Sequence, residues 1–381
     1  MPERRFGWIM QPDRLEVFGD LIIKDGKMNR LILGAAVAAM GTCNVYAQSS
    51  ITLYGQVTAG LDFVNHVATG NGGSSHVFRF GSDQYHFSWF GLTGSEDLGG
   101  GMQAVFKLES LFSTGTGQNF PDQLFTRYAY VGLASNTYGS IWLGRAMSLT
   151  DTTGWYLDPF GEQSIGDASL ANGRAWGPRS NQITYNSPTW GGFSFRLQNG
   201  FGNSSASFQA GRTFSASFDY AAGNLAAHGV YEEIRDANGK FSDLYTASRE
   251  YMIGGTYQLG AVRFYVGYQL LTSNADTIAT AYNPYKATRS QQEWFGASYQ
   301  VNPALTFGAA WYHANINHGG GNGNLGVLGT TYSLSKRTTL YATFGAMFNG
   351  KHSVFSVETQ DSPPNPGQNQ LGGYFGVIHY F

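Results

Sequence analysis

The chain has 381 residues and a formal net charge of −2, and only 13% of its residues are charged, against about 25% in an average soluble domain. Near-neutral charge argues against nucleic acid, which wants a basic face, and an ordinary hydrophobic content of 42% excludes a helical membrane protein. Fifty-two glycines and 15% aromatic residues point away from an ordinary soluble fold as well.

The first element in chain order is a secretory signal. Residues 28–47, MNRLILGAAVAAMGTCNVYA, have Lys27 and Arg30 at their start, an apolar run from Leu31 and a small-residue end at Val45-Tyr46-Ala47. That is the charge, core and cleavage pattern of an export signal, with cleavage expected after Ala47. Signal peptides begin near their own start, so residues 1–27 read as a misassigned extension ahead of a true start at Met28. Removing 1–47 takes six Lys/Arg and five Asp/Glu from the 23 and 25 of the full chain, leaving a net charge of −3. The single cysteine, Cys43, leaves with the signal, so the expected mature chain, 48–381, needs no disulfide framework.

From residue 50 onward the pattern is period two. In ITLYGQVTAGLDF (51–63), Ile51, Leu53, Val57, Ala59, Leu61 and Phe63 share one phase, while Thr52, Gln56, Thr58 and Asp62 take the other. The same alternation runs through LTFGAAWYH (305–313), TLYATFGAMF (339–348) and LGGYFGVIHYF (371–381). These are strands with one apolar face each, and no amphipathic helix is expected after residue 47. Short connections rich in Gly, Asn, Pro and Ser lie at 97–101, 135–139, 187–192, 221–224, 258–261, 301–304 and 333–338. They alternate with longer ones near 64–83, 113–123, 147–178, 202–211, 235–247, 273–288, 316–323 and 350–370. Seven turns and eight loops make sixteen strands.

An even number of strands, with turns at one end and loops at the other, predicts an all-β, sixteen-stranded antiparallel transmembrane barrel. Lipid cannot hydrogen-bond a backbone, so a sheet spans a membrane only when closed on itself. Its outer face must be apolar, because a charge at mid-membrane costs roughly 2–4 kcal/mol. Sixteen strands enclose a wet lumen. Phe63, Trp142, Trp190, Trp311 and Phe348 are expected in the interfacial aromatic girdles. In the last strand the phase of Leu371, Gly373, Phe375, Val377, His379 and Phe381 should face lipid.

Five stretches resemble the trimeric general porins of Gram-negative outer membranes: AQSSITLYGQVTAGLD (47–62), FGLTGSEDLGGGMQAVFKLES (90–110), RYAYVGLASNTYGSIWLGR (127–145), YSLSKRTTLYATF (332–344) and GVIHYF (376–381). They span the mature chain in the family's order. The resemblance implies an outer-membrane location and passive passage of small hydrophilic solutes and ions. It further implies a homotrimer packed along the early strands, lipid and lipopolysaccharide around the barrel, and a C-terminal pattern (Phe375, Val377, Phe381) read by the barrel-assembly machinery. The residues themselves suggest no cofactor, no metal and no catalytic residue.

The resemblance also implies a third loop folded into the pore, here residues 146–178. Asp151, Asp158, Glu162 and Asp167 are its acids, and Asp158-Pro159-Phe160-Gly161-Glu162 resembles the family's loop tip, which presents carboxylates to the pore. Arg127 and Arg179 match wall arginines that face those carboxylates, with Arg145 as a third contributor and Arg79 as a substitute from the adjacent segment. One position departs from the family: Trp89, in Ser88-Trp89-Phe90-Gly91, stands where a wall arginine is usual, which puts anion selectivity in doubt. Alternation by itself does not put Arg127 in water, since it shares a phase with Ala129, Val131 and Leu133.

Other classes fit less well. A barrel enzyme would need a Ser-His-acid set, and there is no G-x-S-x-G. His313 and His318 lack a third ligand at metal spacing. The stronger rival is a substrate-specific channel, for instance a sugar pore with an aromatic track drawn from Trp89, Trp155, Tyr156 and Trp176, or a barrel with an adhesin role.

Overall fold

The computed structural model describes residues 50–119, 123–170, 174, 176–274, 279, 283, 285–359 and 362–381. The expected extension (1–27) and signal (28–47) lie outside the described residues.

The alternating stretches form β1 (Ser50–Ala68), β2 (Ser74–Gly81), β3 (Ser88–Gly99), β4 (Met102–Phe112), β5 (Ala129–Ser135), β6 (Gly139–Met147), β7 (Pro178–Asn186), β8 (Phe193–Gly200) and β9 (Thr213–Ala222). They continue as β10 (Leu225–Ile234), β11 (Arg249–Leu259), β12 (Val262–Thr272), β13 (Arg289–Gln300), β14 (Leu305–Ile316), β15 (Gly321–Ser333), β16 (Thr338–Asn349) and β17 (Gln370–Tyr380). Each pairs antiparallel with its neighbour, and β17 pairs back onto β1, from Gln56 with Tyr380 to Val64 with Gly372. The sheet therefore has no free edge.

The seventeen segments fill sixteen positions. β3 pairs with the first part of β1 (Ser50–Gln56) and β2 with its later part (Gly60–Ala68). Together β2 and β3 form one stave, interrupted at residues 82–87. The segment read as a long loop at 64–83 is thus mostly ladder, with β1 and β2 extending the hairpin. Its signal, SHVFRFG, is short and flanked by Gly and Ser. All seven short connections fall between strand ends, and DLGGG is a turn in which Gly99, Gly100 and Gly101 all take positive φ, which only glycine adopts freely.

The two faces separate as expected. On β13 to β16, Phe295 is 64% exposed beside Trp294 at 3%, Leu328 64% beside Val327 at 2%, and Phe344 61% beside Thr343 at 1%. Exposed aromatic and aliphatic side chains at every second position make sense only against lipid. In β17, Leu371, Phe375, Val377 and Phe381 face outward. Phe63, Trp190, Trp311 and Phe348 also lie on the outer surface. Trp142 does not. It alternates with the exposed Ile141 and Leu143 and stacks on Tyr130 at 4.5 Å, over the backbone of Gly132, on the inner face.

The lumen is not wholly wet. The inner faces of β13–β17 carry Tyr312, Leu325, Val327, Met347, Tyr374 and Ile378, all buried in one cluster with Leu157, Phe160, Ile165 and Val357. Those last four come from loops that fold inside the barrel.

Candidate functional site

The third loop leaves β6 and returns at β7 through a closed neck. Ser148 N–H donates to Gly177 O at 3.1 Å, and the Ser148 hydroxyl accepts from Asp151 N–H at 3.2 Å, capping helix α1 (Leu149–Leu157). This helix was not expected from the sequence. Six of its nine residues are buried, Leu149, Thr150, Asp151, Thr153, Gly154 and Leu157, polar and apolar alike, so no apolar stripe marks the helix in sequence. A shorter turn of helix, α2 (Asp167–Leu170), follows the tip.

The tip is organised by one carboxylate. Asp158 accepts hydrogen bonds from the backbone N–H of Phe160 (3.0 Å), Glu162 (3.1 Å) and Asp167 (3.3 Å), and from the Tyr312 hydroxyl (2.6 Å). Gly161 and Glu162 both take positive φ, 60° and 54°. For Glu162 this is a strained conformation costing about 1–3 kcal/mol, tolerated because Asp158 holds its N–H.

The loop's apolar residues rest on glycines of the wall. A Cβ on Gly296 would strike Pro159 (2.6 Å), on Gly329 Phe160 (2.6 Å), on Gly345 Ile165 (2.5 Å) and on Gly254 Leu157 (2.9 Å). These glycines lie on β11, β13, β15 and β16, and they let the loop's apolar residues press on backbone. Burying each such side chain contributes roughly 1.5–3 kcal/mol. The segment between β16 and β17 folds in beside it. Val357 covers Gly345 and Gly372, Thr359 N–H donates to Ser164 O at 2.8 Å, and Ser169 Oγ donates to Val357 O at 3.1 Å. Gln163 accepts from Thr343 (2.9 Å) and Tyr374 (2.7 Å), and the Trp294 indole donates to Leu157 O at 2.9 Å.

The return limb is held by charge. Arg174 is fully buried, bridging Glu232 of β10 (3.1 Å) and Glu250 of β11 (2.8 Å). Glu232 also meets Arg179 at 3.3 Å and accepts from Thr150, while Glu250 accepts from Trp176 (2.9 Å) and Gln269 (2.6 Å). Removing one member of such a cluster strands the others in low dielectric. Arg174, Glu232 and Glu250 were not singled out from sequence. A usable signal existed for the glutamates: Glu232 shares the inward phase of β10 with Val230, and Glu250 that of β11 with Met252.

The predicted charged residues divide into groups. Asp151 lies close enough to Arg127, Arg179 and Glu232 to feel their charge, and Glu162 feels Asp151, Asp158 and Asp167. Neither the Asp151 nor the Glu162 carboxylate accepts a hydrogen bond among the described residues. Burial pushes both well above the usual carboxylate range. For Asp151 the Arg127 and Arg179 guanidiniums oppose this, and for Glu162 the neighbouring acids add to it.

Arg127 is buried and meets Glu109 at 3.1 Å. Its inward direction comes from a β-bulge: Glu109 N–H donates to Tyr128 O while Glu109 O accepts from Arg127 N–H, so two residues oppose one and the phase shifts. The Trp89 ring lies under the Arg127 guanidinium at 4.4 Å, so the departing residue holds the wall arginine in place by a cation–π contact. Arg145 is not brought to the loop carboxylates. It donates to Thr126 O (2.8 Å) and Ser180 Oγ (2.5 Å). Arg79 faces inward elsewhere, between Asp62 (2.5 Å) and Glu358 (2.7 Å).

Comparison with known proteins places this geometry. A family profile described as Gram-negative porin matches residues 34–352. An outer membrane porin protein of Bordetella pertussis is 28% identical over 361 residues, covering 83% of this chain and 93% of the relative. The solved anion-selective porin from Comamonas acidovorans superposes with a TM-score of 0.75 at 24% identity, over 88% of this chain and all of that one. The trimer form of OmpT of Vibrio cholerae superposes at 0.63 with 16% identity, over 87% of this chain and 99% of the other.

Proposed function

The chain belongs to the Gram-negative porin family, and from that premise we propose that its third loop and the facing wall form the eyelet of the pore. The protein is an outer-membrane channel for passive diffusion of solutes. Its relatives are channels, not enzymes.

The eyelet reading rests on one observation: loop 3 lies inside the barrel against bare glycine backbone, with Asp151 and Glu162 unpartnered among the described residues. Opposite them, Arg127, Arg174 and Arg179 are engaged by Glu109, Glu232 and Glu250. When ionised, Asp151 and Glu162 carry charge that no hydrogen bond among the described residues offsets. Rings of fixed charge set ion preference, so this pore prefers cations when those acids are ionised. The Comamonas protein is described as anion-selective. Trp89 in place of a basic residue accounts for a different sign here. Asp158 is the loop's internal bracket rather than a pore charge, and Arg145 and Arg79 serve the rim and the β1–β2 wall.

The test is reversal potential in asymmetric salt. The double variant Asp151→Asn/Glu162→Gln shifts it toward anions at alkaline pH. An unchanged value would remove both residues from the eyelet.

The assembly reading is a homotrimer packed along the early strands, where Val131, Leu133, Ile141 and Leu143 are exposed. Outer-membrane lipid and lipopolysaccharide surround the remaining face. Phe375, Val377 and Phe381 are exposed on the outer face of β17, where assembly machinery can read them.

A further inference from the structure

Resting on the channel reading, we propose that the lumen holds a weak subsite for a neutral pyranose sugar, on the short-turn side of the loop 3 tip. A cavity of about 440 Å³ lies there, within the range of small-molecule sites, roughly 300–1,000 Å³. One side of it is a run of rings: Tyr85, His86 and Trp155. They are fixed by one another. His86 packs on Trp155 (4.9 Å) and Tyr85 (4.3 Å), and Tyr85 stacks on Tyr341 at 4.2 Å and 10°. The other side is hydroxyl: Tyr265, Ser298, Thr306 and Thr331, on β12 to β15.

A ring wall facing a hydroxyl wall matches one kind of solute. A pyranose has flat C–H faces that sit on aromatic rings, and a rim of hydroxyls that donate to and accept from Ser, Thr and Tyr. An ion finds little here. Among the described residues, the one carboxylate of the cavity, Asp158, is already engaged by four donors, and the one guanidinium, Arg263, is bonded to Gln258 at the exposed edge. A linear polyol offers the hydroxyls without the flat face. The rigid rings need little ordering on contact, yet the cavity is open to the lumen, so binding stays weak enough for passage.

Single-channel recording of the purified protein in planar bilayers tests this, with glucose and mannitol added in turn. Glucose produces a saturable reduction and added noise in the salt current, and mannitol lowers it only in step with bulk conductivity. Trp155→Ala raises the half-saturating glucose concentration at least fivefold. Thr331→Val, which keeps the side-chain volume, raises it at least twofold, each value normalised to that variant's own salt current. Identical behaviour of glucose and mannitol, or variants that leave half-saturation unmoved, overturns the subsite while the channel stands. A purified protein that inserts and passes no salt current overturns both.

Discussion

At the scale of single residues, buried charge decides how the pore is held and how it responds to pH. Arg174 is tied to two glutamates on adjacent strands with no exposed surface. Arg174→Met leaves Glu232 and Glu250 less compensated, a change costing about 3–5 kcal/mol when a buried pair is broken. The expected outcome is a barrel that still forms but a loop 3 return limb that leaves the wall, seen as noisier open-channel current and faster proteolysis between 170 and 178. On the proposed eyelet reading, Asp151 and Glu162 set the response to pH. Their raised values mean the folded protein holds these protons more tightly than the unfolded chain does. The stability they contribute is complete below the ordinary carboxylate range near 4 and is lost as pH rises through the raised values. Cation preference, measured as reversal potential, should therefore fall as pH is lowered, with a midpoint well above 4. A midpoint at 4 would mean that neither acid is buried in the working pore.

At the scale of elements, the pairing of a loop with a glycine wall is what narrows the lumen. Gly329 sits under Phe160. Gly329→Leu fills that space, and the expected result is an intact, heat-modifiable barrel whose single-channel conductance and current noise both change, because the tip can no longer seat. Gly326, outward on the same strand, lies near the Trp311 ring rather than the loop, so Gly326→Ala should leave conductance alone. The strands themselves were legible in sequence because lipid on one side forces strict alternation: the faces of β1 over 51–63 and of β14, β16 and β17 read correctly. What alternation does not carry is conformation off the ladder. The bulge at Arg127 reverses its phase, α1 is buried on several sides, and the β1–β2 hairpin hides among Gly and Ser. The surroundings of the proposed eyelet were partly legible: Asp151 lies within reach of the Arg127 and Arg179 charges, and Glu162 near Asp151, Asp158 and Asp167. The long-range partners Glu232, Glu250 and Glu109 depend on which strands the loop crosses, and spacing along the chain holds no trace of that. Asp158 reads in sequence as a carboxylate that the loop tip presents to the pore, and its four donors come into view only in the fold.

At the scale of the whole molecule, one sheet closed on itself separates oil from water, and two inward loops divide the water. The outer belt of Phe295, Leu328, Phe344 and Phe375 has no use in a soluble protein. At the level of its tip loop 3 covers the inner face of β13–β17, while on the short-turn side that face lines the open cavity at Ser298, Thr306 and Thr331; on the proposed reading, passage at the tip runs along the remaining wall, past Arg127 and Arg179. Single-channel recording of the purified protein in planar bilayers tests that claim most directly. The account predicts stepwise, ohmic currents that scale with the conductivity of the bathing salt and grow when residues 152–168 of loop 3 are replaced by a short glycine-serine link. Membrane insertion with no current, or a current indifferent to that replacement, would contradict it.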